Sequence, residues 1–111
     1  MATAASSSIS ETLLNEIVRR VVDTAQPERV ILFGSAARGE MGPNSDVDLL
    51  VIKRGKFDQG KLTEDIYQSL YGVGQAVDVI VVTDEQVEKH RETYWMVIAP
   101  ALREGREVYH S

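Results

Sequence analysis

Three aspartates and one glycine–serine pair are the residues of this chain best suited to chemistry. Asp46 and Asp48 flank Val47, and Asp78 stands among Val77, Val79, Ile80, Val81 and Val82. Alternate side chains of a strand share a face, so Asp46 and Asp48 point the same way. Two such carboxylates repel unless water or a cation reaches them. Hard oxygen donors of this kind suit Mg²⁺ or Mn²⁺. A charge inside an apolar run like that around Asp78 is costly unless it is paired or metal-bound. If the strand of Asp78 lies beside that of Asp48, three carboxylates converge. Such a set can hold two divalent ions about 3.5 to 4 Å apart, the clamp used for in-line phosphoryl transfer. Gly34 and Ser35 directly follow the apolar run Arg29 to Phe33. A glycine there lets the chain turn sharply and a ligand approach closely. A helix opening at Ser35 would offer free N–H groups to phosphate oxygens. The Ser35 hydroxyl and Arg38, one turn on, are further candidate donors.

Each feature has a plainer reading by itself. Gly-Ser is a common turn, Asp46 with Asp48 fits a solvated strand end, and Asp78 fits a sheet edge paired with Arg or Lys. The combination is more specific: Gly-Ser, ten residues, then Asp-x-Asp arises by chance in roughly one chain per thousand of this size. Competing motifs fail. Glu40 and Met41 follow Gly39 where a P-loop needs Lys and Ser or Thr, Gly72-Val73-Gly74 lacks the last glycine of a dinucleotide fingerprint, and Val51 stands where an EF-hand loop needs glycine. Ser35 has no evident histidine base. His90 and His110 are far apart and read as surface or interface residues. Tyr94, Trp95 and Met96 read as core or interface.

The elements that must position these residues follow from periodicity. Ile9, Leu13, Leu14, Ile17, Val18, Val21 and Val22 form one helical stripe, which places a first helix from about Ser10 to Thr24 with Ser8 and Glu11 as a capping box. Arg29 to Phe33, Val47 to Ile52 and Ala76 to Val82 are strands. A short helix is expected near Ser35, then a loop through Gly39, Gly42 and Pro43. A second amphipathic helix spans Gln59 to Tyr71, with Leu62, Ile66, Tyr67 and Leu70 inward. Thr83 with Gln86 caps a helix starting at Asp84. A further helical stretch contains Trp95 to Leu102, with Pro100 at a kink or a new start. Gly105 stops it, and Arg106 to Tyr109 is a small edge strand. The expected fold is α/β (α+β), a short mixed sheet with packed helices. Residues 1–7 are expected to be a disordered tail, and 8–111 one domain.

The 111 residues allow one domain, and 43% hydrophobic residues are enough for a core. The net charge of -5 argues against direct nucleic-acid or membrane-surface binding, though a bound cation can reverse the local sign. The absence of cysteine excludes a disulfide scaffold, a thiol nucleophile and sulfur-ligated zinc, and suits a cytoplasmic location. No signal peptide or spanning run is visible.

The stretch Phe33 to Leu50 resembles the minimal nucleotidyltransferase family of the DNA polymerase beta-like superfamily. The match rests on Gly34, Ser35, Asp46, Asp48 and Asp78, with Ala37-Arg38-Gly39 and Ser45 as supporting surroundings. It covers about Val30 to Val82 and extends to Tyr109. The resemblance implies a nucleotidyltransferase fold and transfer of a nucleoside monophosphate, AMP from ATP, to an acceptor hydroxyl. It implies that Gly34 and Ser35 hold the triphosphate, that Asp46, Asp48 and Asp78 bind two Mg²⁺ or Mn²⁺ ions, and that Asp78 assists deprotonation of the acceptor. Ala36 departs from the polar or basic residue of many relatives. Short members resemble the antitoxin of toxin–antitoxin modules whose partner is a helical HEPN ribonuclease, and such antitoxins can modify a tyrosine of the toxin. Two alternatives stay open: a non-catalytic module that masks a partner, and a homo-oligomeric enzyme acting on a small molecule.

Overall fold

The computed structural model of the chain describes residues 9–42, 45–89 and 95–111, with side chains in the last stretch from residue 98 onward. The element order is α1 (Glu11–Ala25), β1 (Arg29–Phe33), α2 (Ser35–Arg38), β2 (Val47–Lys53), α3 (Gln59–Ser69), β3 (Val77–Thr83), α4 (Asp84–Glu88), α5 (Trp95–Glu104) and β4 (Arg106–His110). The strands form one mixed sheet in the order β3-β2-β1-β4, in which β2 and β3 are parallel and the other pairs antiparallel. This is the short mixed sheet with packed helices that the sequence implied.

The period-two pattern of the strands divides the core between two faces. Val30, Leu32, Leu49, Val51, Val79 and Val81 pack with Leu14, Ile17, Val21 and Ala25 of α1 and Ile66 of α3. Ile31, Leu50, Ile52 and Val82 face the other way and pack with Ile98 and Ala101 of α5. Helices therefore lie on both sides, and β2 and β3 carry apolar residues on both faces as strands buried from two sides do. Gly105 sits where α5 turns into β4. A Cβ there would meet the Ala101 carbonyl, Ile31 Cγ2 at 2.6 Å and the Leu32 carbonyl at 2.9 Å.

Several boundaries differ from the sequence reading. Ser10, not Ser8, is the N-cap of α1: its backbone is extended (φ -67, ψ 145) and its hydroxyl accepts from the Leu13 N–H at 3.1 Å. Glu11 is thus the first helical residue, beside the positive end of the dipole, rather than the third residue of a capping box. Ile9 and Leu14 take the staple positions on either side of that cap, and both join the same core. Ser8 lies outside the described residues, as does the whole expected tail, 1–7. Helix α3 ends at Ser69, two residues early, because Leu70 caps it and Gly72 and Gly74 (φ +81 and +84) reverse the chain. Tyr67 is not inward but 41% exposed, since α3 overhangs the edge strand β3 there. The capping box of Thr83 and Gln86 is present at α4 as its spacing required. Pro100 lies inside α5, which runs on to Glu104. His90 and Tyr94 lie outside the described residues, as do the side chains of Trp95 and Met96.

Candidate functional site

Three strands bring the chemistry together at one end of the sheet. Phe33, the last residue of β1, pairs with Asp48 of β2, and Asp48 pairs with Asp78 of β3. Parity puts Asp48 and Asp78 on the face of Leu50, Ile52 and Val82, the face on which α5 packs through Ile98 and Ala101. Asp46 precedes β2 with the same parity and is exposed. Its loop is tied to the start of β3: Gln75 Nε2 donates to the Ser45 carbonyl at 3.1 Å, and the Val47 N–H donates to the Ala76 carbonyl at 2.9 Å. Asp78, the second residue of an edge strand, is exposed. Water thus reaches it from the side, and the desolvation cost that its apolar neighbours suggested is largely absent.

The glycine is required by its own backbone and by Asp48. Gly34 has φ 73 and ψ -154, a conformation essentially reserved for glycine. A Cβ at Gly34 would collide with the Asp48 carboxylate. The turn after β1 and the middle carboxylate are therefore in direct apposition. Helix α2 starts immediately after, and its Ala37 and Arg38 amides both donate to the Gly34 carbonyl, at 3.1 and 3.2 Å. The earlier amides, those of Ser35 and Ala36, belong to the end that a helix leaves without internal acceptors. Arg38 borders the turn and is engaged by a near neighbour: its Nε donates to Glu40 Oε1 at 2.8 Å, and that bond foremost holds the guanidinium pKa above its ordinary value.

Electrostatics single out Asp48. Its carboxyl is pushed above the usual aspartate range, first by burial, then by the negative charges of Asp78 and Asp46, with Arg38 opposing weakly. Negative charge accumulates here, and a cation would relieve it. The donor set is all carboxylate oxygen, which matches a hard divalent ion. The chain as it stands holds no preformed cage: among the described residues no three acidic or imidazole side chains already form a metal-binding cluster. The fit thus rests on donor chemistry and mutual repulsion, and two of the three carboxylates, Asp48 and Asp78, are side by side in register.

Sequence reasoning missed the part Tyr67 plays here. Its hydroxyl accepts the Val79 N–H at 2.9 Å and donates to Asp78 Oδ1 at 3.2 Å. Burial, opposed by the Val79 hydrogen bond and reinforced by the charge of Asp78, raises the phenol pKa above its ordinary value. Tyr67 was visible in the helical stripe, but helical periodicity says nothing of reach around a sheet edge.

Among the described residues the site is open. The small cavity beside the turn, lined by Phe33, Gly34, Arg38, Pro100 and Glu104, holds about 90 Å³. A larger cleft of about 670 Å³ lies at the opposite end of the sheet, by Arg29, Lys53, Glu107 and His110. Its charges are already engaged: Arg29 with Glu107 at 2.6 Å, Arg54 with Glu28 at 2.7 Å, and Lys53 with the Ala25 carbonyl at 2.8 Å.

Known proteins are similar to this chain in sequence and in fold. The chain is 32% identical over 82 residues to a Methanocaldococcus jannaschii protein inferred to be a protein adenylyltransferase, covering 74% of this chain and 78% of that one. In fold it is similar to a Sulfolobus solfataricus protein inferred to be a nucleotidyltransferase (TM-score 0.60, 24% identity, 89% of this chain and 78% of that one). It is also similar to a chain of the complex between a tri-AMPylated Shewanella oneidensis HEPN toxin and its MNT antitoxin (TM-score 0.55, 17% identity, 93% and 74%). A toxin–antitoxin structure with AMP-PNP gives a TM-score of 0.58 at 21% identity, over 87% and 73% of the two chains. The nucleotidyltransferase domain model matches residues 14–106, nearly the entire described fold with every site residue inside it, and the chain belongs to that family.

Proposed function

We propose that this chain transfers AMP from ATP to a hydroxyl of a helical, HEPN-type partner protein and so acts as an antitoxin. The observation that carries the reading is the row of Asp48 and Asp78 in register on one open face, with the Gly34 turn pressed against Asp48. Two kinds of relative support the choice of acceptor: one inferred to modify proteins, and a fold neighbour from the complex of an AMPylated HEPN toxin with an MNT antitoxin. The openness of the site among the described residues supports it too. Ligand pockets usually enclose about 300 to 1,000 Å³, so the acceptor itself would supply the missing wall.

In this reading the Gly34–Ser35 turn orients the triphosphate through backbone amides, and Arg38 is released from Glu40 to approach it. Asp46, Asp48 and Asp78 would hold two Mg²⁺ or Mn²⁺ ions, which supply neutralisation of the triphosphate and of the leaving pyrophosphate. The acceptor oxygen forms a bond to the α-phosphorus, the bond from that phosphorus to the β-phosphate oxygen breaks, and the acceptor proton passes to Asp78. Carboxylates without a cation would repel the nucleotide, so the reaction is metal-dependent. The location this reading implies is cytoplasmic; no helix among the described residues is long and apolar enough to cross a membrane.

The test is to incubate the pure protein with its HEPN-type partner, Mg²⁺ and ATP labelled on the α-phosphate. Label on the partner that disappears with Asp46→Ala, Asp48→Ala or Asp78→Asn supports transfer. Tight partner binding with no label from any nucleoside triphosphate would replace the enzyme with a masking module. Label on a metabolite without the partner would favour small-molecule transfer.

A further inference from the structure

We infer that Tyr67 is a positioning residue of this site: from the flank of the edge strand β3, its hydroxyl holds the Asp78 carboxylate in one orientation. The inference rests on the transferase reading for its catalytic meaning, but the geometry stands apart from it. As an edge strand, β3 turns part of its backbone away from β2, to a side where no strand among the described residues pairs with it. Helix α3 supplies the partners instead. Gln59 Nε2 donates to the Val81 carbonyl at 2.9 Å, and the Tyr67 oxygen accepts the Val79 N–H at 2.9 Å. That second bond occupies the phenol oxygen as an acceptor and leaves its one proton to donate. The nearer acceptor for that proton is Asp78 Oδ1 at 3.2 Å; the Val79 carbonyl is at 3.5 Å.

A chain of amide, hydroxyl and carboxylate results, in which each bond polarises the next. Its value lies in the kind of donor. Asp78 is exposed, and an untied exposed carboxylate samples several rotamers. An Arg or Lys would fix it but would also discharge it and compete with a metal ion. Among the described residues no Arg or Lys is within ion-pair distance of Asp78. A neutral phenol orients Oδ1 and leaves the negative charge, and Oδ2, available to the site. Gln59 fastens the same edge without touching any carboxylate, so it serves as the internal control.

The experiment compares Tyr67→Phe, which keeps the ring, with Gln59→Ala and the natural chain. Mn²⁺ affinity is read by electron paramagnetic resonance, and kcat and the ATP KM by labelling of the partner. Tyr67→Phe is expected to weaken Mn²⁺ binding and to lower kcat, each by about 10- to 100-fold, as loss of an outer-shell partner does. The ATP KM, measured at saturating metal, stays within about twofold, and Gln59→Ala stays near the natural chain in all three. Tyr67→Phe within about twofold of the natural chain in both readouts would overturn the positioning role and leave the transferase standing. An equal loss in Gln59→Ala would overturn it as well, by reducing Tyr67 to an edge fastener. A natural chain that labels nothing, yet binds Mn²⁺ in a Tyr67-dependent way, would remove the transferase and keep the positioning role. No Mn²⁺ binding by the natural chain would remove both.

Discussion

Asp48 is the residue on which stability and function oppose each other. It is flanked by Asp46, just before its own strand, and by Asp78 across the parallel pair, and it is partly withdrawn from water. Its proton is therefore held more tightly in the folded chain than in the unfolded one. The linkage sign follows: Asp48 contributes stability below its ordinary pKa, and this is lost as pH rises through the raised folded value. At neutral pH the charge is a liability to the fold. Asp48→Asn should raise the melting temperature at pH 7, and the gain should vanish as pH falls below the ordinary aspartate range. The same change should cut nucleotidyl transfer by more than about 100-fold, beyond the loss typical of an outer-shell partner. Melting curves over a pH series and the labelling assay test the two halves. Gly34 has the opposite profile, needed by both fold and site. Gly34→Ala forces a Cβ into a glycine-only conformation and into the Asp48 carboxylate. It should cost about 1 to 3 kcal/mol in denaturant unfolding and abolish transfer.

Helix α1 shows how one element is secured for the sheet it covers. Its buried stripe of Leu14, Ile17, Val21 and Ala25 faces β1 and β2. Its polar side is organised by Glu16, which accepts from Arg19 and Arg20, each at 2.7 Å. Arg20 also donates to the Ser69 and Tyr71 carbonyls, both at 3.1 Å, and so caps the end of α3. Those guanidinium bonds, Arg19 first, lower the Glu16 pKa to about 2. A depressed carboxyl stabilises the fold above its unfolded value, and this is lost as pH falls through the folded one. Glu16→Gln should therefore melt earlier than the natural chain at pH 7. The gap should close between the ordinary Glu range and about pH 2, with salt reducing it at every pH because the group is exposed. Thermal melts at several pH values with and without added salt read this directly.

At the scale of the molecule, the proposed function asks a chain of net charge -5 to bind a polyanion at an end of its sheet where carboxylates gather. In that reading a cation reconciles the two. Isothermal titration of ATP into metal-stripped protein should show binding weaker by about tenfold or more than with Mg²⁺, and Mn²⁺ should restore it. Full affinity under chelation would remove the metal from the site. Helices α1 and α3 pack on one face of the sheet, while α5 packs on the other through Ile98 and Ala101, alongside Ile31, Leu50 and Ile52, and its Pro100 and Glu104 border the Gly34 turn.

Strand positions, the cap at Thr83 and the stop at Gly105 were legible in the residues, because each shows in residue types and spacings within a few positions of the chain. So was the apposition of the Gly34 turn to the strand of Asp48, whose spacing is local. The cap of α1 was misplaced by two residues because Ser8 and Ser10 both offer a hydroxyl, and only the packing of Ile9 and Leu14 distinguishes them. The register of Asp48 against Asp78 was not legible, since thirty residues separate them and parallel pairing depends on the intervening helix. The edge position of β3, which makes Asp78 exposed, was one of the readings its residues allowed, without the Arg or Lys partner that reading included, and the reach of Tyr67 around that edge was not legible. Local periodicity dictates which side chains share a face; which strand ends the sheet, and who stands beside it, depends on long-range packing that no short window of residues contains.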